Sequence, residues 1–411
     1  MENINNAVSL GDCTEVIYND LKETKVDVLS YKLNPFSEKI EGLLGQHFAL
    51  EITYKTETEM KRKRYFLKVL NGSSKLIFEM CTSVNAYEKE DFFYNTLIKE
   101  FRRYNLDTDF VPNCYFSKPY LIVLEDMSLK NYKPTGTIDL SLEFCKNSLR
   151  TIAKLHSCSL LYEAARSEES GTNFVLVNDY PKLLKNYFFT KENNFAKEWL
   201  QKSVNAVGEL INYVPENHIK SEHFKKRFVQ FVDRMNEIEI GFQDCIQTIL
   251  HGDLWCNNFL YKNDGLSNDS VLVDFQIVKY GVPGIDVLNF LFCNTRKKFR
   301  DLHSEELINF YYECVKENLI RHGYGNIPSK EKYLLITADL KILLKVICLC
   351  DRTVTLLFEQ DAVFETDEEL RKYLLDERTT NLIKAFKKDD AFKEVIEEDL
   401  CELRDLLFEQ M

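Results

Sequence analysis

The sequence predicts an α+β fold of two lobes, a strand-rich N-terminal lobe followed by a larger helical one. Three observations predict it. Apolar residues alternate with a period of two around 48–54, recur in the segment 64–70, and form a run of strand length at Tyr120–Leu124. From Leu140 onward the apolar spacing is mostly helical. Two later strand-like runs, 248–251 and 271–275, are short and flank the most polar cluster in the chain. The boundary is expected near residues 125–128, which divides the chain into 1–127 and 128–411.

Phe48, Leu50, Ile52 and Tyr54 alternate with polar or small residues and define the first strand. Arg64–Leu70 is the second. The charged stretch Lys55–Lys63 between them reads as a turn, with Lys61-Arg62-Lys63-Arg64 as a solvated hairpin tip. From Val84 to Tyr104 the spacing of Tyr87, Tyr94, Leu97, Ile98 and Phe101 is helical. The Tyr120–Leu124 strand ends in Glu125-Asp126-Met127 and a loop containing Pro134 and Gly136. A long amphipathic helix is expected over Leu140–Tyr162, helical patterns continue over Lys182–Gly241, and helix resumes from Ile285 to the end.

At 411 residues and 45% hydrophobic side chains the chain can bury a large core. The formal charge of −12 argues against nucleic acid or an anionic membrane face as a partner. The N-terminus lacks a basic start followed by an apolar stretch, so no signal peptide is expected. Leu334–Cys350, the most apolar long run, is broken by Asp339, Lys341 and Lys345 and reads as a buried helix, not a membrane span. The 12 cysteines contain no Cys-x-x-Cys pair and sit mostly in apolar helical runs, as reduced thiols of a cytoplasmic protein would. In that compartment the sequons at Asn71 and Asn268 carry no glycan.

The strongest chemical signal is His251-Gly252-Asp253-Leu254-Trp255-Cys256-Asn257-Asn258, followed after a polar loop by Val271-Leu272-Val273-Asp274-Phe275-Gln276. Phosphoryl transfer from ATP needs a carboxylate to orient or deprotonate the attacking hydroxyl. It also needs an amide oxygen and a second carboxylate to hold Mg²⁺ against the phosphates. Asp253 supplies the base, Asn258 one metal ligand and Asp274 the other. Asn257 competes with Asn258, but the spacing favours Asn258. His251 reads as a brace for the loop.

Lys68 is the one charge inside Tyr65–Leu70, and a lysine there needs a partner. Glu90, four residues before Tyr94 on one helical face, is the expected partner on the phosphate side, with Glu88 as the alternate acid. Glu41-Gly42-Leu43-Leu44-Gly45 offers two glycines ahead of a strand. Gly45 is the candidate for close backbone approach to phosphate, and an ordinary turn glycine is the equal alternative.

These residues resemble the insect ecdysteroid kinase-like family, in the choline-kinase and aminoglycoside-phosphotransferase branch of the protein-kinase-like fold. The resemblance rests on Gly45–Ala49, Lys68, Glu90–Tyr94, Leu124–Met127, Ile152–His156, His251–Asn258, Val273–Gln276 and Tyr280-Gly281-x-Pro283-Gly284-x-Asp286. It implies a bilobal kinase-like fold, MgATP as co-substrate, and a hydroxyl acceptor on a steroid or lipophilic xenobiotic. It assigns Asp253 as base, Asn258 and Asp274 to Mg²⁺, Lys68 to the phosphates and Glu90 to Lys68. Glu125 and Met127 then belong to the hinge whose backbone meets adenine.

Only residues 275–285 separate Asp274 from Asp286, too few for the segment that docks a peptide, and no Ala-Pro-Glu follows. A small-molecule acceptor is therefore expected, and a monomer. Asp286 reads as a structural anchor at a helix start. Phe174, Tyr180, Tyr187, Phe188, Phe189, Trp199, Tyr213, Tyr311 and Tyr312 are candidate walls of an apolar acceptor pocket, or plain core. Two alternatives to a steroid or xenobiotic kinase stand beside it: a binding protein of the same fold without turnover, and a choline- or aminoglycoside-type kinase.

Overall fold

The computed structural model describes residues 7–22, 25–36, 45–70, 74–137, 139–186, 194–240, 242, 245–262, 269–358, 364 and 366–409. The chain opens with α1 (Leu10–Leu21), which the sequence reading did not foresee. Its start is a capping box in which Ser9 and Asp12 each satisfy the other's backbone N–H. Strands β1 (Asp27–Pro35), β2 (Gly45–Lys55) and β3 (Met60–Leu70) follow, then helices α2 (Lys75–Ser83), α3 (Ala86–Phe92) and α4 (Ile98–Arg103), then β4 (Cys114–Lys118) and β5 (Leu121–Glu125). The five strands form one antiparallel sheet in the order β1-β2-β3-β5-β4.

Strand alternation gives the sheet two unlike faces. Leu50, Ile52, Tyr54, Tyr65, Leu67 and Val123 point to the face that α1 covers with Cys13, Val16 and Ile17. Phe66, Ile122 and Leu124 join the larger core on the opposite side. Lys68, two residues beyond Phe66, shares that second face. The expected turn at 55–63 is shorter in the structure, at 56–59, and the basic run is strand rather than hairpin tip. Strand geometry brings acids within reach of it: Lys63 Nζ lies 2.6 Å from Asp20 and Arg64 Nε 2.5 Å from Asp126.

A two-residue strand β6 (Tyr132–Lys133) precedes α5 (Leu142–Ser170), which Ser141 caps at its start and Gly171 ends at φ +66. Helices α6 (Leu176–Asp179), α7 (Pro181–Leu184), α8 (Asn194–Leu210), α9 (Ser221–Asp233) and α10 (Met235–Ile240) come next. Four short strands then frame the polar cluster: β7 (Thr248–Leu250), β8 (Phe259–Lys262), β9 (Ser270–Leu272) and β10 (Lys279–Gly281). β7 pairs with β10, and β8 lies between β6 and β9. The remainder is α11 (Gly284–Asn294), α12 (Lys297–Arg321), α13 (Lys330–Leu334), α14 (Ala338–Phe358), α15 (Asp367–Arg371), α16 (Arg378–Lys388) and α17 (Asp390–Phe408). The α+β class expected from the sequence is the class the chain adopts.

Helices α12, α14 and α17 meet over a buried charge cluster. Lys345 Nζ is 2.9 Å from Asp399 and 2.5 Å from Glu402, Arg352 Nε is 3.0 Å from Asp399, and Arg300 pairs with Glu402. Lys345 is fully buried, as expected for the run it interrupts. All 12 cysteines are free thiols. Among the described residues no helix is long and apolar enough to cross a membrane.

Candidate active site

The loop His251–Asn258 leaves β7, closes in a tight turn at Cys256–Asn258 and runs into β8. Gly252 takes φ +86, and a Cβ there would meet the Ile277 carbonyl at 2.8 Å, so the turn admits only glycine. Asn258 Nδ2 donates to the Asp253 carbonyl at 2.8 Å and to its carboxylate at 2.9 Å. That aims the Asp253 carboxylate and leaves the Asn258 amide oxygen as a donor for a cation. Burial and the charge of Asp274 push the Asp253 carboxyl up to about 7, against the hydrogen bond from Asn258.

Asp274 follows β9 and takes φ +69, a left-handed conformation that aspartate tolerates better than most residues. Backbone bonds lock it beside the loop: Val273 N donates to the Asn258 carbonyl at 3.1 Å. The neutral His251 ring joins the two, with Nε2 donating to Val273 O at 2.9 Å and Nδ1 accepting the Asp253 N–H at 3.3 Å. From the sheet, Lys68 Nζ reaches Asp274 Oδ1 at 2.8 Å and Glu90 Oε2 at 2.9 Å. Burial disfavours the Lys68 ammonium, but Asp274 and Glu90 outweigh it and hold it above the usual lysine range. Asp274 is held below the usual carboxylate range, because Lys68 outweighs its burial.

The structure thus brings Lys68, Glu90, Asp253, Asn258 and Asp274 to one place, from one strand, a helix and two loops. Among the described residues no three His, Cys, Asp or Glu side chains converge to hold a metal by themselves. Asn258 and Asp274 offer two hard oxygen sites, which suits a Mg²⁺ ion that takes its other ligands from phosphate and water. Gly45 opens β2 opposite Leu70, and a Cβ there would touch the Lys68 stem at 3.3 Å. Gly42, the other glycine of that segment, lies outside the described residues. At the end of β5, the Glu125 carboxylate accepts from Asn113 Nδ2 at 2.9 Å and pairs with Lys130. Met127 is buried and begins a short 3₁₀ turn capped by Asp126.

The model of the Ecdysteroid kinase-like family matches residues 39–324. The chain belongs to this family. By family, this ecdysteroid kinase-like protein is a small-molecule kinase. No curated protein matches it in sequence. Solved structures similar to it include an aminopropanol kinase associated with a microcompartment (12% identity, 91% of this chain and 98% of that one, TM-score 0.44). A Plasmodium vivax ethanolamine kinase matches at 11% identity over 89% of this chain and 83% of that one, TM-score 0.41. The Streptococcus pneumoniae choline kinase LicA matches at 15% identity over 90% and 98%, TM-score 0.38.

The ecdysteroid kinase-like chain holds its loop with residues whose partners the sequence did not disclose. Asp286, expected as an anchor at a helix start, is the third residue of α11, and its carboxylate accepts His251 N at 2.7 Å and Gly252 N at 3.1 Å. His156 on α5 lies 3.2 Å from the same carboxylate and 2.5 Å from Tyr311 Oη. Asn289 accepts Leu254 N and Asn294 donates to Leu254 O. The spacing of 286, 289 and 294 on one helix was the available signal. His47, paired with Lys68 across the sheet, is a further neighbour, pushed down to about 4 by burial and by Lys68 and so neutral.

Among the described residues the candidate aromatics pack in separate places. Phe174 packs on Tyr162, Tyr180 on Phe92, Tyr213 on Phe386, and Tyr311 and Tyr312 on Tyr333, each within the core or at its edge. Trp199 lies under the Arg378 guanidinium at 4.0 Å. Tyr187, Phe188 and Phe189 lie outside the described residues.

Proposed function

We propose that the chain transfers the γ-phosphoryl group of ATP to a hydroxyl of an ecdysteroid-like steroid or a lipophilic xenobiotic. The observation that carries this reading is the convergence of Asp253, Asn258 and Asp274 with the Lys68–Glu90 pair. Residues 1–127 then form the ATP-binding lobe and 128–411 the lobe holding the catalytic loop and acceptor. Asp253 takes the acceptor's hydroxyl proton as the acceptor oxygen bonds to the γ-phosphorus and the bond to the β-phosphate oxygen breaks, releasing ADP. Lys68, steadied by Glu90, neutralises phosphate charge. Asn258 and Asp274 would hold Mg²⁺, which would supply Lewis-acid stabilisation of the phosphates. Gly45 lies against the phosphates, and the backbone of Glu125–Met127 meets adenine. The protein acts as a monomer in the cytoplasm.

A second reading, a cationic acceptor such as choline or an aminoglycoside, has one observation in its favour. Asp351 on α14 carries a carboxylate that interacts electrostatically with that of Asp253. Crowding and the Asp253 carboxylate hold the Asp351 carboxyl well above the usual range. An ammonium group between the two acids would relieve that repulsion.

Mass spectrometry of products formed from MgATP with a panel of ecdysteroids, plant glycosides, choline and an aminoglycoside tests both readings. A steroid or glycoside heavier by one phosphoryl group is the expected result, and a phosphorylated amine moves the assignment to the second reading. MgATP binding with no product on any acceptor leaves a binding protein. A chain that binds no MgATP overturns the proposal.

The Asp253 carboxyl must be ionised to take a proton. Acceptor-limited kcat/KM is therefore expected to rise with pH through about 7 and level off above it, with the loss on the acid side. A flat profile between about pH 6 and pH 8 would remove Asp253 from the base role.

A further inference from the structure

Lys89 precedes Glu90 on α3 and is only 2% exposed. Its Nζ donates to the carbonyl of Val278 at 2.7 Å and to that of Lys185 at 3.0 Å. Val278 lies four residues past Asp274, on the way into β10, and Lys185 follows α7. A lysine amine is costly to bury, and an apolar side chain of similar length would fill the same space. Its bonds to these two carbonyls distinguish Lys89 from such a filler.

We propose that Lys89 is a positioning residue that fixes the Asp274 turn for metal–nucleotide binding by holding the Val278 and Lys185 carbonyls to α3. The inference rests on the kinase reading above. The turn it would fix needs support, because the left-handed φ of Asp274 persists only where the surroundings impose it. The segment Phe92–Tyr94 and α3 already grip that turn on one side. Glu90 acts through Lys68, and the Phe93 ring stacks on Phe275 with centroids 3.5 Å apart. Lys89 holds the other side, past Phe275. Its bond to Lys185 ties in the end of α7, so α3, the Asp274 turn and α7 are linked through one side chain. Burial and the nearby Lys279 ammonium push Lys89 down to about 7. A neutral amine still carries two N–H donors, one for each of these two carbonyls.

Calorimetric affinity for ATP, with and without Mg²⁺, separates this role from packing when wild type is compared with Lys89→Met and Lys89→Gln. Methionine fills the volume and donates nothing, whereas the glutamine amide has two N–H donors. The Mg²⁺-dependent gain in ATP affinity is expected to fall roughly ten-fold in K89M, as for other groups that orient metal ligands. It is expected to be largely kept in K89Q, with metal-free ATP affinity unchanged in both. Equal gains in K89M and wild type overturn the inference, as do equal losses in K89M and K89Q. If K89M does not fold, K89Q decides: a retained gain supports the role and a lost one overturns it. If neither folds, Lys89 is scaffold only and the inference fails. A wild-type chain whose ATP affinity ignores Mg²⁺ overturns the kinase reading itself.

Discussion

Replacing Asp253 by alanine is expected to lower phosphoryl transfer by about a thousand-fold while MgATP still binds. The expectation follows from where the carboxylate sits. Asn258 holds it by a side-chain bond and a backbone bond, and its environment places its proton affinity near neutrality. The groups proposed for the nucleotide, Lys68, Glu90 and Asp274, make their contacts with one another and stay intact in the variant. Asp253→Asn sharpens the test, since asparagine keeps the shape and can still accept from Asn258 but cannot take a proton. Steady-state rates beside calorimetric MgATP affinity provide the measurement. A loss in both variants with affinity preserved supports the base role, and an active D253N removes it.

The second large effect is expected from Asp286→Ala. In the fully buried Asp286 site, two backbone N–H groups of the catalytic loop and the His156 ring converge on one carboxylate. Removing the acceptor strands these donors without water. A loss of about 3–5 kcal/mol is expected, as for other broken buried pairs. Thermal melting should fall by several degrees. Among molecules that remain folded, kcat should drop by about a hundred-fold, because an untethered loop misplaces Asp253. Melting and turnover measured on the same preparation decide it: unchanged melting would mean that the loop is held chiefly by Asn289 and Asn294.

Much of the site could be read from the sequence because its chemistry demands particular residue types in a fixed order. Asp253, Asn258 and Asp274 lie in two short segments joined by a hairpin, and Lys68 stood out as a charge in an apolar strand. The fold class followed from periodicity, since alternation at 48–54 and helical spacing after 140 are local properties. What stayed hidden was set by distant partners. The basic run at 61–64 reads as a turn until Asp20 and Asp126 are brought beside it. Lys89 resembles any helical lysine until Lys185 and Val278 arrive from 96 and 189 residues away. Asp286 was legible as an anchor, but not its partner, which comes from a loop rather than from its own helix. The candidate aromatics stayed open between pocket wall and plain core, because a large ring serves either place equally well.

The buried charges shared by α12, α14 and α17 bear on where this protein can be cut. The family match ends at residue 324, yet Lys345, Arg352, Asp399 and Glu402 all lie beyond it, and only Arg300 lies within. Both acids of the cluster come from the last helix. Excising that helix would leave Arg300, Lys345 and Arg352 facing one another with neither acid of the cluster, and cutting at the family boundary would leave Arg300 alone of the five. The C-terminal stretch is thus no appendage to a minimal kinase core but the counterweight that lets three neighbouring helices share an interior.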